Sequence, residues 1–413
     1  MQIHPIIKAL RRHKVGVAII VVQVAITLAI VSNALMVIGE RIHRLHRPTG
    51  MEESGLYLIT QTWINAPDIS SAEGISKLDA MQREDLAKLR GIQGVISVSA
   101  VSSLPLLNAS RIANIRTSLD GDSEGQTASL YYSDEDTLKT LGLKLISGRN
   151  FFPTEVKNGS PMSKSSFPVA IVTQELAARL YPDGHALGSQ IYINGQSPST
   201  IIGIVDKLQV PGIGSWFTSF AYNSVLVPCR LNLSFSRYAV RAEASDNAYL
   251  YEKLKEALFS TNRLRVIEAN GIQSFSSIRR AAYQADMAMA TLMAVICIVL
   301  LTITAAGIFG LSSFWVAQRR KQIGLRRALG ATRADILKHY QTETLLISAF
   351  GAALGLLLSV YCNELLMKYV EMSRLPWPYL VTGFFLLIVL TQCAAFVPSR
   401  KASTIEPIIA TKT

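Results

Sequence analysis

Cysteine is scarce: four in 413 residues, and only Cys229 falls outside an apolar stretch, with Cys297, Cys362 and Cys393 inside them. No intramolecular disulfide framework can form in the aqueous part, and cysteine in an apolar run behaves as a small hydrophobe. No Cys-x-x-Cys or His-Glu-x-x-His spacing occurs, which removes the common zinc and dithiol chemistries. Gly-x-x-x-x-Gly-Lys-[Ser/Thr] is absent as well. The nearest glycine-rich stretch, Gly184 to Gly188, lacks the lysine, so these residues offer no cradle for nucleotide phosphates. Acid is scarce in the apolar half. Residues 39–283 carry 25 Lys and Arg against 23 Asp and Glu, whereas the remainder carries 16 against 6. The formal net charge of +12 therefore belongs to membrane flanks, and no nucleic-acid partner is expected.

What the chain has in quantity is apolar sequence. Four runs, 15–38, 284–316, 343–370 and 377–397, are each long enough to cross a bilayer. The first is too long for a signal-peptide core and lacks a small-residue cleavage site, so it is expected to be retained. Lys8, Arg11, Arg12 and Lys14 precede it and Arg41, Arg44 and Arg47 follow it, so local charge leaves its direction open. The loop 317–342 decides: it holds seven basic residues, Arg319, Arg320, Lys321, Arg326, Arg327, Arg333 and Lys338, against Asp335 alone. The opposite loop, 371–376, holds one acid and one base. The basic loop is thus expected in the cytoplasm with both ends, 1–14 and 398–413, and residues 39–283 outside. The pattern makes a multi-pass membrane protein, one span plus three, carrying a large α+β extracytoplasmic domain. Helical pattern runs on from Val15 to Arg47, where Pro48 stops it, with Ile38, Ile42 and Leu45 on one stripe. The second helix should start near Ser277 and run to Ala317. Either both helices project as a stalk, or they tilt and fray.

Residues 39–283 alternate between helix and strand signals. Gln82–Leu89 is helix-like and closes at Gly91; Val95–Val101 alternates as a strand. Asp134–Leu141 reads as a helix, Leu143–Ile146 as a strand before the turn at 147–150, Pro168–Val172 as a strand, and Gln174–Tyr181 as a helix closed by Pro182 and Gly184. Gln190–Ile193 and Thr200–Val205 flank Asn194-Gly195, a hairpin signal. No catalytic constellation appears. His43 and His46 share a helix face without a third ligand and read as a solvated stalk. His185 follows a Pro-Asp-Gly turn, Ser163 to Ser166 lack a nucleophile-elbow context, and Asp134, Glu135 and Asp136 read as first-turn helix charges.

Within "RRKQIGLRRALGATRADILKHY", from Arg319 to Tyr340, Gly330 stands where a glycine ends a helix, and Thr332 with Asp335 matches a capping box that starts another. Ile323, Leu325, Ala328 and Leu329 are expected to pack while Arg326 and Arg327 stay solvated. On physical grounds the segment is either a docking helix or a positive-inside loop against lipid headgroups. In the spans, Ala306 with Gly310 and Gly351 with Gly355 are small-xxx-small pairs. They suit either packing within one chain or a dimer.

The stretch "RRKQIGLRRALGATRADIL" resembles the signature of MacB/FtsX-type ABC transporter permeases. The ending "PSRKASTIEPIIATK" and the outer "LGLKLISGRNF" and "VAIVTQELAARLYPDGHALGSQIYING…TIIGIV" are similar to the same family, so the resemblance spans nearly the whole chain. It implies a bacterial inner-membrane subunit that is not itself an enzyme. It implies a MacB-like periplasmic domain and a coupling helix at Arg319, Lys321, Ile323, Gly324, Arg326, Arg327, Ala328, Gly330 and Ala331. It further implies a separate ABC ATPase that uses ATP and Mg, a second permease copy or sibling permease, and a periplasmic adaptor with an outer-membrane channel. No cofactor is expected on this chain, which begins almost at its first span. Mechanotransmission would drive export of peptide, antibiotic or lipid-linked cargo, or else, as in FtsX systems, activate an envelope enzyme. A membrane-bound enzyme is a third class, disfavoured by the lack of a site.

Overall fold

The computed structural model describes residues 14–119, 125–159, 166–195, 197–243, 247–370 and 374–405. In chain order the elements are α1 (Lys14–Leu45), β1 (Leu56–Trp63), α2 (Ala72–Arg90), β2 (Val95–Ala100), β3 (Ile112–Arg116), β4 (Gln126–Ser133), α3 (Thr137–Leu141), β5 (Leu145–Gly148), β6 (Lys157–Gly159), β7 (Val169–Thr173) and α4 (Gln174–Leu180). There follow β8 (Gln190–Ile193), β9 (Pro198–Val205), a 3-10 turn (Ser215–Phe220), β10 (Ser224–Leu231), β11 (Phe235–Ala242), α5 (Asn247–Thr261), β12 (Arg265–Val266), β13 (Ile272–Ser274), α6 (Phe275–Ala282), α7 (Gln284–Gln318), α8 (Arg320–Ala328), α9 (Arg333–Val370) and α10 (Trp377–Ser403). Two compact units result: a head of residues 47–284, and a membrane unit of residues 1–46 and 285–413.

The head has two lobes. In one, β12, β1, β11 and β2 form an antiparallel sheet, with β13 also on β1. Its apolar face, Ile59, Val98, Tyr238 and Val240, packs with Leu86 and Leu89 of α2 and Leu254 and Leu258 of α5. In the other, the order β4-β3-β8-β9-β7-β10 closes on itself because β10 also pairs with β4, Val225 opposite Leu130. Closure removes exposed strand edges from the ring. Ile115, Leu130, Val172, Ile191, Ile201, Val225 and Val227 fill it. The expected hairpin is present: Gln190 faces Thr200, and Asn194 and Gly195 carry φ of 52° and 69°.

Buried charge also ties elements of the head to one another. Arg265 grips Asp85 with both ends of its guanidinium, at 2.8 and 2.9 Å, both side chains being fully buried. Gln61 and the Tyr238 hydroxyl donate to the same carboxylate at 2.7 and 2.9 Å, and the guanidinium lies over Trp63. The lobes are joined in the same manner. Asp134, expected as a first-turn charge, is instead buried. Its carboxylate accepts from the Ser99 hydroxyl at 2.6 Å and the Ala100 amide at 3.0 Å. Burial pushes its carboxyl pKa up, and these hydrogen bonds oppose the shift. Arg230 of β10 donates to Asp79 of α2 at 3.1 Å, and Gln82 donates to the Leu231 carbonyl.

In the membrane unit α1, α7, α9 and α10 are long and apolar enough to cross a membrane. α1 ends at Leu45 rather than Arg47, since Pro48 disfavours helix in the residue before it. At 32 residues it is about 48 Å long. The helix expected from Ser277 to Ala317 is two helices, broken at Tyr283. That residue is buried, and its amide turns back to the carbonyls of Arg279 and Ala281. Near the ends of α1 and α7, Arg41 and Arg44 both pair with buried Asp286. Gly351 and Gly355 of α9 face α1: a Cβ on Gly355 would meet Leu28 Cβ at 2.9 Å and Ala25 Cα at 3.0 Å. That pair is used inside the chain. Ala306 is exposed, and nothing lies within 4 Å of a Cβ on Gly310.

Two outcomes are expected. Asp85→Ala leaves the Arg265 charge buried without its partner, and should destabilise the head by about 3–5 kcal/mol, read as early protease cleavage between residues 47 and 284 of the full chain in detergent. Gly355→Leu overpacks the α1–α9 contact and should cost about 1–3 kcal/mol in thermal unfolding of the solubilised chain, whereas Gly310→Leu should be tolerated.

Candidate functional site

The basic segment is built by three local signals. α7 stops at Gln318, and Arg319 takes φ −97°, ψ 13° before α8 begins. α8 ends in a Schellman motif. Gly330, at φ +99°, donates its amide to the Arg327 carbonyl, and Ala331 donates to Arg326, both at 3.1 Å. The Thr332–Asp335 capping box then starts α9: the Thr332 amide donates to Asp335 Oδ2 at 3.1 Å, and the Asp335 amide to Thr332 Oγ1 at 3.2 Å. Both expected boundary signals are in place.

α8 has two faces. Inward, Ile323 is 2 % exposed and packs with Ile336 of α9 and with Ala402 and Ile405 at the end of α10; Gly324 is buried beside it. Arg319 Nη1 donates to both carboxylate oxygens of Glu343, at 3.0 and 2.9 Å. Arg327 Nη1 donates to the carbonyls of Ser403 at 3.2 Å and Ile405 at 2.9 Å. Outward, Leu325 is 60 % and Leu329 80 % exposed, with Arg326, Ala328 and Gly330 exposed alongside. Lys321 is exposed too, and Ala331 is half-buried.

This corrects the expected packing. Leu325, Ala328 and Leu329 face out, and Arg327 is half-buried rather than solvated. The reason is helical spacing. Ile323 and Arg327, four apart, share one face, and once that face is committed Leu325, Ala328 and Leu329 fall on the other. Sequence reasoning missed Glu343 and the carbonyls at the end of α10. The available signal was Glu343 itself, an acid at the edge of an apolar span, which is costly unless paired.

The other candidates form no shared site among the described residues. His46 Nδ1 lies 2.9 Å from the Ile42 carbonyl on α1, and His43 is exposed on the same helix. His185 is exposed, 3.4 Å from Asp183. Among the described residues no three His, Cys, Asp or Glu side chains are grouped to hold a metal. Burial pushes the Cys229 thiol up to about 12, which makes it inert. Ser163 and its neighbours to residue 165 lie outside the described residues, as do residues 1–13, 371–373 and 406–413.

Comparison with known proteins completes the picture. Residues 15–257 match the MacB-like periplasmic core domain, and residues 294–407 match the FtsX-like permease C-terminal family. The chain belongs to the MacB/FtsX-type ABC transporter permeases. It is 23 % identical over 349 residues to the uncharacterised ABC transporter permease YknZ of Bacillus subtilis, covering 83 % of this chain and 81 % of that one. It is 24 % identical over 291 residues to the macrolide export ATP-binding/permease protein MacB of Chromobacterium violaceum, covering 68 % of this chain and 42 % of that protein. Among solved structures, the periplasmic region of MacB from Actinobacillus actinomycetemcomitans aligns over 58 % of this chain and 97 % of that chain, at TM-score 0.34 and 16 % identity. The basic segment, residues 319–340, lies inside the FtsX-like match.

Gly330 supplies the conformational test of this segment. Its φ belongs to the left-handed region, where a side chain costs about 1–2 kcal/mol. Space is open around it, so Gly330→Val should act through the backbone alone. The α8–α9 turn should loosen, seen as faster amide exchange of residues 326–332 in the purified chain with the α9 interior unchanged.

Proposed function

We propose that this permease couples ATP hydrolysis on a separate ABC ATPase to movement of its head by mechanotransmission, in a bacterial inner membrane with the head in the periplasm. The observation that carries the reading is the outward face of α8. Leu325 and Leu329, one turn apart, stand exposed beside Arg326, on a helix braced from behind by Ile323, Arg319 and Arg327. Exposed leucines on a held scaffold suit a protein partner. Two apolar anchors enter pockets, and the arginine selects an acidic rim. ATP and Mg act on the partner. A stroke on α8 would be passed along α7, α9 and α10, helices long enough to extend beyond a bilayer.

Export of peptide, antibiotic or lipid-linked cargo fits a head with no catalytic constellation among its described residues. The related MacB of Chromobacterium violaceum is a macrolide export protein. A second permease copy would supply the second site for a paired ATPase. An adaptor and outer-membrane channel would continue the route.

The test is affinity capture of the full chain from its native membranes, with ATPase activity assayed on the eluate. Leu325→Asp with Leu329→Asp should lower the captured ATPase about tenfold or more, the loss of one hot spot of roughly 1.4 kcal/mol or above. Equal recovery on a folded variant would return the segment to a lipid-facing role. Capture of an envelope hydrolase in place of an adaptor would favour the regulatory FtsX-like reading.

A further inference from the structure

The nine residues grouped as one coupling set divide physically into two. Arg326, with Leu325 and Leu329, is exposed on the outward side of the helix. Arg319 and Arg327 are spent inside the chain, and on different neighbours. Arg319 holds Glu343, whose side chain is 3 % exposed, on α9. Arg327 holds the carbonyl of Ser403, the last residue of α10, and that of Ile405 just beyond it. Carbonyls at a helix C-terminus carry partial negative charge, so a guanidinium there is a charge-assisted donor. The apolar contact between these two links, Ile323 on Ile336, Ala402 and Ile405, cannot by itself fix direction, because packing of aliphatic groups resists separation more than sliding.

We propose that Arg319 and Arg327 are positioning residues that divide a push on α8 between two membrane helices, Arg319 passing it to α9 and Arg327 to α10, while the partner ATPase grips only the Leu325–Arg326–Leu329 face. The gripping half rests on the docking function argued above. The two links stand on the geometry of this chain alone. A push applied to the outward face displaces the helix axis, and each guanidinium converts that displacement into motion of the helix it holds. Glu343 sits at the edge of the apolar part of α9, and its side chain is 3 % exposed, so its pair with Arg319 is shielded from water and salt. The Arg327 link needs no acid: it uses backbone carbonyls, which any sequence at 403 and 405 would supply.

The test uses the full chain in lipid nanodiscs with Cys362 and Cys393 replaced by alanine; Cys229 and Cys297 are buried. Nitroxides on exposed Gln322 and Lys401 report the α8–α10 link, and on Gln322 and Lys338 the α8–α9 link. Distances are measured by double electron–electron resonance, on the chain alone and with the ATPase that co-purifies from native membranes. Arg327→Ala should broaden the 322–401 distribution and spare 322–338; Arg319→Ala should do the reverse. Arg327→Lys, which keeps a charged donor, should restore most of the first. Exchanging Arg319→Glu with Glu343→Arg should restore the second. Arg327→Lys and the exchanged Arg319→Glu/Glu343→Arg pair, which keep the brace, should retain the ATPase at the level of the parent chain. Unchanged widths in either alanine variant would overturn that link, and loss of the ATPase from a restored chain would make the arginine a docking residue instead. If Leu325→Asp keeps its ATPase, the gripping face is wrong, and the widths on the chain alone still decide the two links.

Discussion

A guanidinium held at the edge of an apolar bundle must find an acceptor, and the pairing of Arg319 with Glu343 is the contact on which the basic segment depends. It fixes the junction where α7 stops and α8 begins. From that corner the direction of α8 follows, and with it which residues face in. Ile323 then meets Ile336 of α9 and Ala402 of α10, Arg327 reaches the Ser403 carbonyl of α10 and the Ile405 carbonyl just past it, and Leu325 and Leu329 are left outside. The exposed face is thus a consequence of an internal ion pair.

The membrane helices are fastened with unequal strength. α1 meets α9 at glycine, where backbones approach closely enough for dense van der Waals contact, and Asn33 donates to the Ser359 carbonyl across the same seam. α7 is attached along a narrow stripe, with Cys297, Thr304, Ile308, Ser312 and Trp315 as its buried residues in the span. Within the span its polar contacts to α1 include Thr27 with Thr304 and Gln23 with the Ile303 carbonyl, and near the start of α7 Asp286 pairs with Arg41 and Arg44. Intramembrane hydrogen bonds of this kind are worth about 0.6 kcal/mol on average. A tightly packed block of α1, α9 and α10 with a lightly held α7 is a division along which movement is least costly.

Much of this was legible in the sequence, where one principle dominates locally. Hydropathy gives the four long helices, and the signals at Gly330, Thr332 and Asp335 act within a few residues and place the α8–α9 break. The Asn194-Gly195 hairpin is of the same kind. What escaped was set by tertiary partners. Asp134 reads as a helix-end charge because nothing near it in sequence shows Ser99 and the Ala100 amide waiting 34 and more residues away. The closed ring of the second lobe depends on β10 reaching β4, a pairing across about 95 residues that no local pattern encodes. The faces of α8 were misjudged because leucine on a nine-residue helix is apolar on whichever side it falls. Only the commitment of Ile323 and Arg327 to the chain decides it.

The head's use of buried charge bears on how force could pass through it. Replacing a buried ion pair with well-packed apolar groups is often neutral or stabilising, so such pairs are poorly explained by stability alone. Their distinctive property is intolerance of partial opening. Sliding one aliphatic face over another by a fraction of an ångström costs little, but drawing Arg230 from Asp79, or Asp134 from Ser99 and the Ala100 amide, gives up charge-assisted hydrogen bonds between groups that stay buried. Lobes joined in this way stay in register until they separate outright. Under the proposed coupling such a joint would matter, because compliance between the lobes would absorb a displacement within the head.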